Sequence, residues 1–420
     1  MTEAIQDTPK DPAKFPLLRN LQFSPIKEKE EQYMVLWDPS GLSQEKLVLP
    51  VHYFFIIQHL DGEHSLEQIG AAYLKRFGEF FMPDRLQRLI GDLDEKLFLE
   101  GERVQAAKRA AQADYRKAPV RQAMFSGKSY ETDGVKLKGQ LDGFFTSKEG
   151  PDFKPSENKD KKIKGLLAPH YELRQAGPIY AWAYKELQEA EAPSLFVVLG
   201  TSTAGLHRPF AVTDKDFETP LGVVPVDRDL VTRFKKLGGA PFFDEDLSHR
   251  NEHTIEFQLP FLQQAMAGKS PFTILPVLCS FPPTCMVDPE MKNIAGQVET
   301  FIGILKQALS ESGRDYCLIG SAELAHLGMR YGDPSPPTDF SFHRCMQTDL
   351  EMLKPVEELN PASFASFIQK EGDQRRISGF ATIYTLLRLI QAEKGTVLRY
   401  DRGITDQYNS TVTYASMAFF

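Results

Sequence analysis

The strongest constraint on the fold is an alternation of apolar, β-branched runs with helical stretches, which starts near Val120 and continues to the end of the chain. Such alternation is typical of an α/β domain built around a largely buried sheet. In these domains, functional sites gather on the loops at the carboxyl ends of strands. The strand-like runs are Leu195–Leu199, Phe272–Leu278, Tyr316–Ile319 and Ser410–Phe419, and the helical stretches lie near residues 179–187, 255–265, 291–309 and 380–391.

The bulk properties of the chain narrow its class. Its 420 residues exceed one typical hydrophobic core, so we expect two domains. The net charge of -8 disfavours nucleic acid as a partner. No apolar run is long enough to span a bilayer, and the polar, acidic start lacks a signal-peptide core. The four cysteines form no close pair typical of a metal finger, which favours a reduced, cytoplasmic protein.

The first part of the chain has a different pattern. Residues 1–47 form a lead-in segment rich in Pro, Lys and Glu, in which Tyr33–Trp37 has the character of a strand. Residues 48–103 predict a compact helical domain, with a capping box at Ser65 and Gln68 and a second helix opened by Pro83. Residues 104–119 predict a connecting helix. The short helices and their turns suggest a winged-helix-like domain.

The segment Leu60–Ile69 and this helix pattern resemble the PqqD family, over about residues 48–103. The resemblance implies a small domain that binds a peptide substrate or leader segment for a peptide-modifying enzyme. The alternative interpretation is a helical packing domain without a ligand. DNA binding is disfavoured because acidic residues outnumber basic ones between Val51 and Arg103.

Three runs of the second part bring histidines and carboxylates together in a chain with nine histidines. His170 follows the short apolar run Gly165–Pro169. His253 and Glu256 are three residues apart at a predicted helix start, and Glu323 and His326 repeat this spacing after a strand. Imidazole beside carboxylate suits general base catalysis or metal binding. We therefore predict His170, His253 and Glu256 as catalytic residues.

The second part carries a series of motifs that occur in one order. These are Val120–Tyr130 with Leu137–Phe145, Leu167–His170 followed by Gly177 and Ala181–Tyr184, Phe217–Gly222 with Asp227, Asn251–Pro260, and Ser321–Gly328. In this order they resemble the Memo family, to which AmmeMemoRadiSam system protein B belongs. The resemblance covers residues 120–420 and implies a central sheet flanked by helices, similar to the fold of LigB-type extradiol dioxygenases.

The resemblance also implies where a metal would bind. The family's ligands would fall at His170, at Thr203 or Ala204, and near Ala325, and Ser378 stands where many relatives have cysteine. Only the first of these positions has a strong ligand, so we expect either no cofactor or a weakly bound iron, copper or zinc ion. The altered ligand set would be His170, His253 and His326. Thr203, Glu323 and Ala325 are expected to line the binding site.

Two functions follow from the two resemblances. The first is an accessory or substrate-recruiting component of a peptide- or protein-modifying system, whose degenerate metal pocket binds a peptide end or side chain. Its partners would be a peptide or protein substrate, a radical SAM enzyme and an AMMECR1-like protein. The alternative is a metal-dependent oxidoreductase related to extradiol dioxygenases, which uses the altered histidine set. Whether the chain is an enzyme stays open at this point.

Overall fold

The computed structural model describes residues 14–28, 31–152, 155–158 and 161–420. The chain divides into two compact units, with the boundary between Lys117 and Ala118. We call them unit 1, up to Lys117, and unit 2, from Ala118 onward. Within the described residues, no helix has both the length and the apolar character needed to cross a membrane.

In its described residues, unit 1 contains a three-stranded antiparallel sheet and four helices. In the sheet, β2 lies between β1 and β3, and Met34 on β2 is opposite Pro25 on β1 and Leu49 on β3. The predicted strand Tyr33–Trp37 is part of β2 and pairs in a small sheet, as expected of this segment, whereas the residues of β1 and β3 were not identified from the sequence. The elements are β1 Gln22–Glu28, β2 Glu31–Trp37, β3 Lys46–Pro50, α1 Phe54–Gln58, α2 Leu66–Phe77, α3 Pro83–Glu95 and α4 Glu102–Lys117.

The helices of unit 1 begin where the sequence indicates. The Ser65 hydroxyl accepts from the Gln68 backbone N–H, and the Gln68 side chain accepts from the Ser65 N–H, so the capping box forms. Helix α2 ends at Gly78, whose positive φ of 73° suits a residue without a side chain. The unit has its own hydrophobic core, which includes Met34, Leu36, Leu49, Ile56, Ile69, Tyr73, Leu86, Leu89 and Leu93.

Unit 2 is a mixed α/β domain around a large central sheet, which confirms the predicted fold class. The strand order is β11-β13-β5-β10-β6-β9-β7. In addition, β12 pairs with β13, and β4 and β8 form a separate two-stranded sheet. The strands are β4 Val120–Arg121, β5 Gly165–Ala168, β6 Leu195–Thr201, β7 Phe210–Val212, β8 Asp216–Phe217, β9 Thr273–Cys279, β10 Cys317–Ser321, β11 His326–Leu327, β12 Gly395–Ile404 and β13 Thr411–Phe419.

Helices cover the faces of this sheet, and the predicted helix over 255–265 is divided into α8 and α9. The helices are α5 Gly134–Thr146, α6 Leu173–Glu189, α7 Arg228–Phe234, α8 His253–Glu256, α9 Gln258–Ala265, α10 Lys292–Ser312, α11 Asp339–Glu357, α12 Pro361–Lys370 and α13 Phe380–Leu389. Short 3₁₀ turns occur at Val51–Tyr53, Ala240–Phe243, Asp246–His249, Pro283–Met286, Pro289–Met291 and Met329–Tyr331, and a π-helical turn at Lys235–Gly239.

The central strands position the site. β5, β10, β6 and β9 are parallel neighbours, so their carboxyl ends lie at one edge of the sheet. Every residue of β5, β6 and β10 is buried, which fixes these strands between the helices. The residues that follow them, His170 after β5, Thr203 after β6 and Glu323 after β10, therefore emerge at the same edge.

Candidate functional site

His170 is held at the centre of this edge by a backbone carbonyl and a carboxylate. It is 3% exposed, and its Nδ1 lies 3.2 Å from the carbonyl oxygen of Ser321, at the end of β10. A carbonyl only accepts, so Nδ1 carries the proton and donates. Nε2 points the other way and lies 3.4 Å from Oε2 of Glu323.

Glu323 lies between two histidines. Its Oε2 is 3.4 Å from Nε2 of His170 and also 3.4 Å from Nε2 of His326. His326 is anchored like His170, because its Nδ1 lies 3.2 Å from the carbonyl oxygens of Leu324 and Arg376. Both rings therefore turn Nε2 toward one carboxylate. Two imidazoles and one carboxylate are a ligand set that non-haem iron proteins use.

The charges of this group are coupled. Burial alone would lower the pKa of His170, but the nearby Glu323 carboxylate outweighs burial and holds the pKa above its ordinary value. Burial would likewise raise the pKa of Glu323, yet His170 and His326 hold it well below its usual range. With Nδ1 donating to a carbonyl, Nε2 of His170 can donate to Glu323 only when the ring is protonated. The site favours an imidazolium paired with a carboxylate.

A second polar group joins this cluster through His253. The rings of His170 and His253 lie 5.6 Å apart between centroids, edge to face. Nδ1 of His253 is 3.1 Å from Oε1 of Glu252, which also caps the amino end of α8. Oε2 of Glu252 accepts from the Thr203 backbone N–H at 2.7 Å and from its hydroxyl at 2.9 Å. Burial raises the pKa of Glu252, but the hydrogen bonds from His253 and Thr203 prevail and lower it.

Glu256, predicted as catalytic, has a structural environment instead. It is fully buried and ion-paired with Arg121. One of its oxygens accepts from the Tyr130 hydroxyl and the Phe125 N–H, and the other accepts from Arg121 and the Met124 N–H. Both oxygens are thus occupied by groups that hold the start of unit 2 against α8. These contacts favour a structural role for Glu256, and its catalytic role stays a prediction.

Ala325 is fully buried and contributes only its backbone. Its N–H donates to the Thr413 hydroxyl at 2.9 Å, and its carbonyl accepts from the Thr413 N–H. The Thr413 hydroxyl in turn donates to the buried Asp349, which is ion-paired with Arg375. The Arg375 carbonyl accepts from the His326 N–H at 2.7 Å. This buried network fixes the loop that carries Glu323 and His326, and the sequence gives no local signal for it.

Two glycines allow close approaches around the site. Gly379 donates its N–H to the Glu323 carbonyl, and a Cβ there would lie 2.6 Å from the Ala322 Cβ. A Cβ on Gly200 would lie 2.6 Å from the Thr254 hydroxyl. A real Cβ does not approach other atoms so closely, so these positions have no room for a side chain. They bring α13 and α8 directly onto the strand ends.

The donor geometry bears on a metal ion. Within the described residues, no three His, Cys, Asp or Glu side chains are placed to hold one. Glu323 contacts both imidazoles instead of standing beside them, and His253 is turned toward Glu252. Thr203, at an implied ligand position, is hydrogen-bonded to Glu252. As placed, these residues do not fit a preorganised metal site, and the ligand role of His170, His253 and His326 stays a prediction.

Comparison with known proteins identifies the family of unit 2. A family model described as Memo-like protein matches residues 121–418, about seven-tenths of the chain. The chain belongs to the Memo-like protein family. The match begins at Arg121, the partner of Glu256, and includes every site residue described above.

Individual Memo-like relatives agree with this assignment. A MEMO1 family protein of Aquifex aeolicus is 26% identical over 414 residues, which cover 96% of this chain and 100% of that protein. A MEMO1 family protein of Methanopyrus kandleri is 26% identical over 300 residues, or 70% of this chain and 96% of its own. One of Pyrococcus furiosus is 33% identical over 216 residues, or 51% and 67%. Because unit 2 begins at Ala118, the Aquifex alignment must extend through most of unit 1.

Proposed function

We propose that this Memo-like protein is an accessory component that recruits a peptide or protein substrate for a modifying system. Its partners in that system are a radical SAM enzyme and an AMMECR1-like protein, and its location is the cytoplasm, in keeping with four free, buried cysteines. The observation that carries the recruiting role is the small sheet of unit 1, in which β1 and β3 each pair, among the described residues, with β2 alone. Peptides bind such edges as an added strand.

The two edges of this sheet are not equivalent. β1 contains Pro25, which has no N–H, and proline in a sheet is placed with its nitrogen away from the ladder. That edge is therefore blunted against a further strand. Pro25 is opposite Met34, so the N–H and C=O of Met34 must bond to β3 and not to β1. Leu49 is the β3 residue opposite Met34, so its own N–H and C=O point inward, toward β2. Val48, one residue earlier, then directs its N–H outward. β3 is the edge on which we place the peptide.

The histidine group of unit 2 receives the part of the substrate to be modified. Its charged groups are paired with one another, since Glu323 is shared by His170 and His326, and Glu252 by Thr203 and His253. Such a group offers hydrogen bonds and a buried charge pair to a peptide end or polar side chain. A metal ion would have to displace these contacts, so we expect iron, copper or zinc to bind weakly.

The recruiting role is tested with the full-length protein and peptides from proteins encoded beside it. Val48→Pro removes the outward donor of β3, and Lys27→Pro is the matched change at an outward position of β1. We expect the first to weaken peptide binding, measured by calorimetry, by about tenfold, since a main-chain hydrogen bond is lost and proline blunts a strand edge against pairing. Equal affinity of both variants and the unchanged protein would remove the role of the β3 edge.

A second candidate is a metal-dependent oxidoreductase related to the extradiol dioxygenases. The observation that favours it is the matched anchoring of His170 and His326, whose Nδ1 atoms both donate to carbonyls while Nε2 remains turned inward. Metal-binding histidines are oriented by the same kind of bond. Elemental analysis after dialysis decides between the candidates. Near-stoichiometric metal that is lost in His170→Ala favours the oxidoreductase, and sub-stoichiometric metal that is the same in both proteins favours recruitment.

A further inference from the structure

A separate pocket of about 350 Å³ opens at the same edge of the sheet, on the β6 and β9 side of the histidines. It is lined by the ends of these two strands, by the loop before β7 and by the start of α13. Its volume is at the lower limit of ligand pockets, which suits one or two amino-acid residues rather than a long segment.

The pocket is connected to the histidine group by shared backbone contacts. Thr201 lines the pocket, and its hydroxyl donates to the Ser321 carbonyl, which also accepts from Nδ1 of His170. On the α13 side, Gly379 lies between the lining residues Ser378 and Phe380 and donates to the Glu323 carbonyl. The pocket is therefore a neighbour of His170 and Glu323 along this edge.

Part of the pocket lining is apolar. Leu206, Phe281, Ile294 and Ile377 form this part, which we call the base, and Phe281 packs edge to face against Phe380 at 5.9 Å. An apolar surface of this kind gains free energy when it excludes water from an apolar group. The polar part of the lining includes His207, Arg208 and Asp373.

The rim of the pocket carries hydroxyl groups. Ser202 and Ser280 follow β6 and β9, and Ser378 precedes α13. The Ser202 and Ser280 backbones are bonded within the loops, but none of the three hydroxyls has a hydrogen-bond partner among the described residues. A hydroxyl both donates and accepts, so it matches the N–H and C=O groups of a peptide main chain equally well.

We propose that this pocket is a specificity subsite for a peptide, which takes one large apolar side chain while the rim serines bond the amides on either side of it. The inference rests on the proposed function and names its substrate class: a peptide with a large apolar residue near the group that reaches the histidines. The shared contacts at Ser321 and Gly379 make the pocket a neighbour of these histidines, so the two groups are expected to be close along such a peptide.

The test uses the full-length protein with δ1-methyl-labelled isoleucine, whose signals from Ile294 and Ile377 report on the pocket base. The probes are N-acetyl-leucine N-methylamide and N-acetyl-phenylalanine N-methylamide, each one residue between two amides, with the glycine analogue as reference. Saturable shifts of both signals are expected, with affinities about tenfold or more above that of the glycine analogue, because only the larger side chains bury apolar area. Equal affinity for all three probes, or no saturable shift, overturns the proposal.

Two variants and one control make the test specific. Ser280→Trp fills the pocket from the end of β9, and the exposed Ser378→Trp covers its rim if the first variant fails to fold. Ser310→Trp, at an exposed serine on α10, is the matched control. Probe binding should be lost in either pocket variant and retained in the control. Probe binding that persists in a folded pocket variant places the probes elsewhere and removes the subsite.

Failure of the subsite is distinguishable from failure of the proposed function. If peptides bind the full-length protein in a manner sensitive to Val48→Pro, but the single-residue probes do not shift Ile294 and Ile377, recruitment stands and the subsite falls. If the probes bind the pocket but no peptide responds to Val48→Pro, the subsite stands and the recruiting role falls.

Discussion

Two buried glutamates of unit 2, Glu256 and Glu323, have the same sequence separation from a histidine but different hydrogen-bond partners. Each is three residues from a histidine, His253 or His326. Around Glu256, the donors are the Arg121 guanidinium, the Tyr130 hydroxyl and two backbone N–H groups. Around Glu323, the partners are the imidazoles of His170 and His326.

Donor type, rather than spacing, separates a structural carboxylate from one placed for chemistry. Removing one partner of a buried carboxylate–arginine pair is strongly destabilising, because the other charge is left uncompensated. When histidines hold a carboxylate, the protonation state of the group can change with pH or when a ligand binds. The predictions below test this contrast, first through the stability of each cluster and then through its chemistry.

The largest effect is expected when Arg121 is replaced. Arg121→Met leaves the buried Glu256 charge without its partner, which should cost about 3–5 kcal/mol in the free energy of unfolding of unit 2. His170→Asn should cost about 1 kcal/mol, because Glu323 keeps His326 and one hydrogen bond is lost. Denaturant unfolding followed by Trp182 fluorescence, in a Trp37→Phe background, measures both. Similar losses of unfolding free energy in the two variants would mean that the groups around Glu256 and Glu323 do not differ in their structural role.

The glycines beside the two clusters should give the next largest effects. Gly379→Ala pushes α13 away from Glu323, and Gly200→Ala pushes α8 away from β6, each at about 1–3 kcal/mol for overpacking. Gly139→Ala is the control, because its Cβ meets nothing within 4 Å on an exposed face of α5. That change should be neutral or stabilising by up to about 1 kcal/mol. The same denaturant measurement applies, and a neutral Gly379→Ala would contradict the packed contact on Glu323.

Much of the fold was predictable from the sequence for a physical reason. β6 and β10 are buried along their whole length, so their apolar runs identify them without further context. β12 was missed because it is half-buried and carries Arg399, Asp401 and Arg402 within its run, which hides the strand pattern. Strands of this kind are recognisable only once their neighbour β13 is in place.

The histidines of the site were predictable from the sequence, but the distant residues that hold them and their neighbouring carboxylates in place were not. His170, Glu323 and His326 stand out because each follows a strand, and the parallel order of β5 and β10 then brings them together. Arg121 lies 135 positions before Glu256, and Asp349 lies 64 before Thr413, so no local spacing connects either pair. Such contacts depend on the tertiary fold, and they decide whether a carboxylate is structural.

Metal affinity tests whether the histidine group around Glu323 can be converted into a metal site. Thr203→His places an imidazole at the implied ligand position and releases Glu252, so zinc affinity should rise by roughly 10–100-fold, the scale on which ligand-shell changes act. Adding Ala325→Cys should raise it further. Ser310→His, far from the strand ends, is the control. Competition with a chromophoric chelator measures the affinity, and an increase that survives His170→Ala would show that the new histidine binds metal without the cluster.

The smallest effect is expected in the titration of His170, which compares the influence of Glu323 with that of Glu256. In the unchanged protein, Glu323 holds the His170 pKa above its ordinary value of 6.5. Glu323→Gln removes the carboxylate and leaves burial, which favours the neutral ring, so the pKa should fall below that value. The imidazole signals of a His-labelled protein, followed by NMR between pH 5 and 9, measure the change. Glu256→Gln, the matched substitution in the structural cluster, should leave His170 unchanged.

The same titration fixes the sign of the pH dependence. A histidine whose folded pKa is raised contributes stability that is complete below its unfolded pKa, near 6.5, and is lost as pH rises through the folded value. The free energy by which the unchanged protein exceeds Glu323→Gln should therefore decline above pH 6.5. A difference that stays constant or grows over that range would show that His170 is neutral beside Glu323, and the distinction between the two glutamates would then rest on packing alone.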